Sequence, residues 1–424
     1  MKLYSKGDNY TLYEGDMLDL LDVIPLASVD AVVTDPPYEL NFMNKSWDGS
    51  GIAFKPETWR KCYEVLKSGG YLLAFGGSRT FHRIACAIEE AGFELRDTII
   101  WLYGSGFPKS YNIGLALDKR NGVESEIIGT KAEHDIRGNA YANGDGRVYE
   151  RQIKRARNNW EGWGTALKPA FEPVIIARKP CEGSTLDNVI KYGVGALNLD
   201  ACRINVKTPA DYEPQGRYPS NVILTYDETD YKEVCGGLPE TNGDSKPRIN
   251  DNRKNAGNSL FLDGVHNANN CYFDDGNASR YFYCAKASTR DRDEGLDDLK
   301  TVNGGSYNFR ADGSLDGYIP AKKNIHPTVK PCDLMQYLVR LITPKGGVVL
   351  DPFNGSGSTG KAVMYENRDR QSNYKYIGIE LTPEYLPIAD ARIKYAITAP
   401  LTDDKPEQPL KGQIDIYDLL GGKQ

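Results

Sequence analysis

A short apolar run, Val348-Val349-Leu350, leads into Asp351-Pro352-Phe353-Asn354-Gly355-Ser356-Gly357-Ser358-Thr359-Gly360. A helix-forming stretch from Lys361 follows, and then a second apolar run, Tyr376-Ile377-Gly378-Ile379, that ends on Glu380. Strand, glycine-rich turn, helix and strand in this order make a β-α-β unit, whose two strands must lie parallel for the helix to pack back on the sheet. A chain built around such a unit is an α/β fold with a mostly parallel, helix-covered sheet. The first hundred residues obey the same rule. Ala31-Val32-Val33-Thr34 reads as strand, and Pro56 to Leu66 as a helix with Trp59, Cys62, Tyr63 and Leu66 on one face. Gly69-Gly70 is expected to stop that helix before the strand Tyr71 to Phe75, with a helix from His82 to Ala91 and a strand from Asp97 to Trp101 beyond. Phe171 to Ala177 reads as strand and Cys332 to Ile342 as helix.

The turn itself is a ligand site. Glycines let a backbone approach a bound molecule closely, and Glu380, 20 residues after Gly360, can accept hydrogen bonds from two ribose hydroxyls. These features suit NAD and S-adenosylmethionine equally. Gly355 to Lys361 also reads as the start of a phosphate-binding loop, but Ala362 stands where a Ser or Thr hydroxyl should hold magnesium. Asp351 breaks the remaining tie: a carboxylate at the strand tip repels a pyrophosphate and attracts the ammonium of S-adenosylmethionine.

Asp35-Pro36-Pro37-Tyr38 follows another strand, so in an open sheet it lies at the carboxyl end where ligands bind. Alone it reads equally well as a stiff turn. Its composition suits one reaction. An exocyclic amino group is a poor nucleophile because its lone pair is delocalised into the ring, and two acceptors are needed to draw the nitrogen toward tetrahedral geometry. The Asp35 carboxylate and the Pro36 carbonyl supply them, and the two prolines fix their aim. Tyr38 offers a stacking face worth about 1 to 3 kcal/mol per base, which offsets part of the cost of flipping a base out of a duplex.

With both motifs present, and the Asp35 element first, the chain resembles the beta-class DNA amino-methyltransferases. Ser28 to Tyr38 is similar to their catalytic strand, Asp351 to Gly357 to their cofactor loop, and His326-Pro327-Thr328-Val329-Lys330-Pro331 to the segment before that loop. The resemblance covers about residues 8 to 101, 168 to 180 and 324 to 395. It implies a Rossmann-like S-adenosylmethionine-dependent methyltransferase fold, with a central mostly parallel sheet and an inserted loop-rich target recognition module. It also implies direct, metal-free transfer from S-adenosylmethionine, leaving S-adenosylhomocysteine. Asp351, Phe353, Asn354, Gly355, Ser356 and Gly357 would form the cofactor loop. Glu380 would hold the ribose, Asp16 would approach the cofactor adenine and Lys330 would lie beside the methionine moiety. Asp as the first letter of the catalytic motif is usual for adenine N6 and Ser for cytosine N4, so adenine is the expected base. Cytosine N4 methylation, an NAD-dependent oxidoreductase and a catalytically dead DNA-binding module are the alternatives.

The expected organisation is a catalytic half over residues 1–180, with a basic loop excursion at about 104–165, and a recognition module over 181–323. A cofactor-binding half over 324–400 and a polar tail over 401–424 complete it. Bulk charge does not advertise DNA, since 52 Lys and Arg face 58 Asp and Glu for a net −6. Locally, residues 151–179 hold seven basic side chains against two acidic ones. Arg151, Lys154, Arg155 and Arg157 with Trp160 and Trp163 are the candidate contacts to double-stranded DNA, although a solvated charged face accounts for such a run as well. Eight cysteines without a CxxC pair and four histidines at no ligand spacing point to reduced thiols and no metal. The chain lacks an apolar signal segment and any run near the roughly 18 apolar residues that span a membrane. A cytoplasmic protein, monomer or homodimer, is therefore expected. It would be solitary, phage-encoded or matched to a separate restriction endonuclease, since no nuclease motif is evident.

Overall fold

The structure, a computed structural model, describes residues 2–40, 46–104, 110–134, 148–204, 216–226, 235–241, 276–285, 291–299, 307–309, 315–318 and 323–400. The expected tail at 401–424 and much of the 181–323 stretch lie outside the described residues. The chain divides into two compact units, one of residues 1–104, 172–288 and 329–424, the other of 105–171 and 289–328.

Among the described residues, ten strands of the first unit join one sheet. The first five are β1 (Lys2–Lys6), β2 (Tyr10–Glu14), β3 (Val29–Thr34), β4 (Leu66–Phe75) and β5 (Glu94–Tyr103). In the second unit, β6 (Glu126–His134) and β7 (Val148–Arg155) form a hairpin. The rest of the sheet is β8 (Phe171–Arg178), β9 (Val222–Thr225), β10 (Tyr283–Cys284), β11 (Val348–Asp351) and β12 (Lys375–Glu380). The spatial order is β1-β2-β12-β11-β3-β4-β8-β5-β9-β10. β2, β12, β11, β3 and β4 pair in parallel, β1 runs antiparallel to β2, and β8 runs antiparallel to β4. The glycine-loop unit and the Asp35 strand are thus neighbours, although the one lies more than 300 residues beyond the other in sequence.

Helices cover both faces, which is why the central strands read as continuous apolar runs rather than alternating ones. α1 (Met17–Leu21), α2 (Pro56–Val65) and α3 (Phe81–Glu90) lie on one side, where Trp59, Cys62, Ile84 and Ile88 pack with Val32, Leu72 and Leu350. α4 (Ile113–Arg120) belongs to the second unit, and α5 (Thr185–Tyr192) packs by β4. On the other face α6 (Cys332–Ile342), α7 (Ser358–Arg370) and α8 (Leu386–Thr398) bury Leu338, Val363 and Ile393 with Val33, Leu73 and Val349. Trp59 is fully buried and its indole N–H reaches the Ala53 carbonyl at 2.9 Å, so its polar end is satisfied inside the core.

Three local readings change. Gly69 does not end α2: the helix stops at Val65 and the strand begins at once at Leu66. Gly69 instead bends that strand at φ +79°, with the Asn188 amide filling the space a side chain would take. The excursion after residue 104 holds the β6–β7 hairpin, because Ile127, Thr130, Val148 and Ile153 favour extended backbone despite the charges between them. α7 begins at Ser358, three residues before the expected start, so Gly360 lies within it.

Candidate active site

β3 and β11 are parallel neighbours, so Asp35 and the glycine loop emerge together at the carboxyl edge of the sheet. A side-chain bond locks them. Thr34, the last residue of β3, donates 2.6 Å to Asp351 Oδ1 at the tip of β11, while Thr359 donates 2.6 Å to Oδ2 and the Phe353 amide 3.1 Å to Oδ1. Asp351 is 2% exposed, and burial pushes its carboxyl up to about 6 against these hydrogen bonds. Both of its oxygens therefore already hold donors from the chain.

Beyond Thr34 the backbone turns through Asp35-Pro36-Pro37-Tyr38, with Pro36 buried. Lys330, itself 7% exposed, sets its ammonium 2.6 Å from Asp35 Oδ2 and 3.5 Å from Glu172 Oε2. The Tyr38 hydroxyl donates 2.7 Å to Glu172 Oε2, and the Tyr103 hydroxyl 3.3 Å to Oε1. Among the described residues, the second Asp35 oxygen, Oδ1, is buried and has no hydrogen-bond partner. A shielded carboxylate oxygen without a donor is costly, so its presence marks a place where a donor belongs. Burial holds the Asp35 carboxyl above the ordinary range, with Lys330 opposing, and the same burial holds the Tyr38 phenol well above its own. Lys330 is pulled down by burial, but Asp35 and Glu172 outweigh this and keep it charged.

The glycine loop is equally constrained. Gly357 adopts φ +74°, and a side chain there would meet Ala389 of α8 at 2.9 Å, so only glycine lets loop and helix close up. Asn354 and Ser356 point inward. The Asn354 side chain takes a 2.7 Å bond from the Tyr376 hydroxyl, and the Ser356 carbonyl takes 2.8 Å from the buried Arg392. Phe353 packs 6.4 Å from the Trp59 ring. Glu380 ends β12 with its oxygens accepting the Gly355 amide at 2.6 Å and the Thr382 amide at 2.8 Å, and burial raises its carboxyl to about 7. Asp16 stands next to it: Gly15 donates to the Glu380 carbonyl at 2.9 Å, and Asp16 caps α1 by accepting the Leu18 amide at 2.9 Å. Among the described residues no three His, Cys, Asp or Glu side chains gather as metal ligands.

The first unit therefore brings together Asp35, Tyr38, Lys330, Asp351, the glycine loop, Glu380 and Asp16. The basic candidates belong to the second unit. There Arg151, Lys154 and Arg155 fall on β7, and Trp160 and Trp163 lie edge to face at 5.1 Å, 46% and 59% exposed. Asp118 of α4 pins the intervening turn by accepting the Arg157 amide at 2.8 Å and the Asn158 side chain at 2.6 Å. Sequence reasoning passed over Glu172, Tyr103, Thr34 and Thr359. Thr34 and Thr359 lie within the two motifs but were given no role there, and Glu172 lies in the strand-like Phe171 to Ala177, a position that could have drawn notice.

Strand order, the reversed β8, helices on both faces and a glycine turn at the carboxyl edge define a Rossmann-like methyltransferase fold. A family model described as DNA methylase, of the N6/N4 kind, matches residues 29–391, and the chain belongs to that family. It is 30% identical over 146 residues to the type II methyltransferase M.HindIII of Haemophilus influenzae, covering 34% of this chain and 37% of that one. It is 36% identical over 89 residues to the type II methyltransferase M2.MboI of Moraxella bovis, covering 21% and 30%. The matches thus span about a third of these relatives' lengths. The PvuII DNA methyltransferase, described as cytosine-N4-specific, is similar over 94% of this chain and 89% of its own, at 15% identity and a TM-score of 0.43.

Proposed function

We propose that the protein methylates an exocyclic amino group in double-stranded DNA, N6 of adenine, with S-adenosylmethionine as the donor. The observation that carries this reading is the buried Asp35 Oδ1, without a hydrogen-bond partner among the described residues, on a turn tied through Thr34 and Asp351 to the glycine loop. When bound, S-adenosylmethionine supplies an electrophilic methyl carbon. Glu380 and the Gly355 to Gly357 backbone would hold it, with Asp16 at its adenine. Asp35 Oδ1 accepts one amino hydrogen and the Pro36 carbonyl the other, which localises the nitrogen lone pair toward the methyl carbon. Tyr38 stacks on the flipped base. The nitrogen would gain positive charge on methylation, and Asp35 would stabilise that charge and accept the proton then lost. Stabilising developing charge with a preorganised partner is usually the largest single contribution to catalysis of this kind.

The family's description as DNA methylase supports DNA as the substrate, and the leading Asp of the catalytic motif supports adenine. Single-molecule sequencing of DNA from cells expressing the protein tests both: N6-methyladenine at one recurring sequence is expected. N4-methylcytosine in its place would overturn the base assignment, and unmodified DNA would overturn the reaction.

For the second unit the reading is phosphate contact along β7 with Trp160 and Trp163 as a stack or wedge. Replacing Arg151, Lys154, Arg155 and Arg157 by alanine is expected to weaken DNA binding and flatten its salt dependence. The slope of log K against log salt drops by about 0.9 for each phosphate that is no longer neutralised. A slope unchanged from wild type in a filter-binding titration would place the DNA elsewhere.

A further inference from the structure

Because β8 runs antiparallel to β4, with Val174 opposite Phe75, the start of β8 reaches the same edge of the sheet at which β3 and β4 end. Glu172 arrives there near the start of this reversed strand, and both its oxygens are engaged by site residues. Oε2 takes the Tyr38 hydroxyl at 2.7 Å and lies 3.5 Å from Lys330, and Oε1 takes the Tyr103 hydroxyl at 3.3 Å. A phenol held by a carboxylate has its ring tilt fixed at the far end as well as at Cα. The Lys330 ammonium, 5.3 Å from the Tyr38 ring centroid and 4.9 Å from that of Phe75, then sits between two carboxylates, Asp35 and Glu172.

We propose that Glu172 is a positioning residue for the transfer: it sets the stacking face of Tyr38 and shares Lys330 with Asp35, so that base platform and amino acceptor keep one geometry. This rests on the methyl-transfer reading above. Its signature is that Glu172 acts through Tyr38. Two substitutions separate that from a merely structural ion pair. Glu172→Gln keeps an oxygen for the Tyr38 hydroxyl and removes the charge, whereas Glu172→Ala removes both.

The test follows tritiated methyl transfer to unmethylated genomic DNA, with S-adenosylmethionine affinity measured by calorimetry. Glu172→Ala is expected to lower kcat about tenfold or more while cofactor affinity stays within about twofold, and Glu172→Gln to recover most of the loss. Adding Tyr38→Phe to Glu172→Ala is expected to cost little more than either change alone, because both break the same hydrogen bond. Wild-type kcat in both Glu172 variants would overturn the proposal, as would Tyr38→Phe and Glu172→Ala losses that multiply. Should Glu172→Ala fail to fold, Tyr38→Phe in the wild-type and Glu172→Gln backgrounds decides. An equal loss in both supports the role, and no loss in either removes it. A wild-type protein that transfers no methyl group to DNA fails the reaction itself, before any variant is compared.

Discussion

Asp35→Asn is expected to reduce methyl transfer by about a hundredfold to a thousandfold while leaving S-adenosylmethionine affinity nearly unchanged. The substitution keeps the size of the side chain and one acceptor oxygen, so what it removes is the negative charge facing the nitrogen as that atom becomes positive. Deleting a single preorganised partner of transition-state charge costs that much in other enzymes. The fold is expected to survive, because the buried Lys330 ammonium keeps Glu172 at 3.5 Å and is not left as an uncompensated charge. Single-turnover transfer of a tritiated methyl group, alongside calorimetry with the cofactor, separates the two effects. Transfer within tenfold of wild type would remove Asp35 from the reaction.

Asp351→Ala is expected to destabilise the first unit by about 2 to 4 kcal/mol, since it leaves the Thr34 and Thr359 hydroxyls and the Phe353 amide without their acceptor in a dry interior. Asp351→Asn keeps an acceptor and is expected to cost much less. The pair also yields a pH test. Burial raises the Asp351 carboxyl from 3.8 to about 6 in the folded protein, so the fold favours its protonated form. The stability this contributes is complete below about pH 4 and is lost as pH rises through about 6. The amount is about 3 kcal/mol at 1.36 kcal/mol per unit. Glu380, raised to about 7, acts in the same direction. Wild type should therefore lose stability relative to Asp351→Asn between pH 4 and 7 in urea titrations, and parallel curves would show that Asp351 does not titrate in this window.

The two motifs could be read because their chemistry is local: prolines that stiffen a turn and glycines that open one act within a few residues. The central sheet could be read for a similar reason, since β3, β4, β11 and β12 are buried on both faces and their apolar runs leave little choice. What escaped was long-range. Glu172 is an ordinary carboxylate until the reversal of β8 carries it to Tyr38, 134 residues earlier in the chain. For Asp351 the sequence showed a charge at a strand tip, and only the fold shows that Thr34 and Thr359 occupy it. The β6–β7 hairpin was hidden by the lysines, arginines and glutamates between its β-branched residues. α5 was overlooked although Ser184 and Asp187 form a capping box at its start, a signal within reach of the eye.

The bond between Thr34 and Asp351 joins residues 317 apart, and β11 is inserted between β3 and β12 rather than added at an edge. During synthesis the wholly buried β3 must wait, with one side of its backbone unpaired, until β11 has left the ribosome. At ordinary translation speeds that wait is on the order of tens of seconds. The order of the two motifs along the chain thus leaves the inner strand of the sheet with one open edge until its partner has been made.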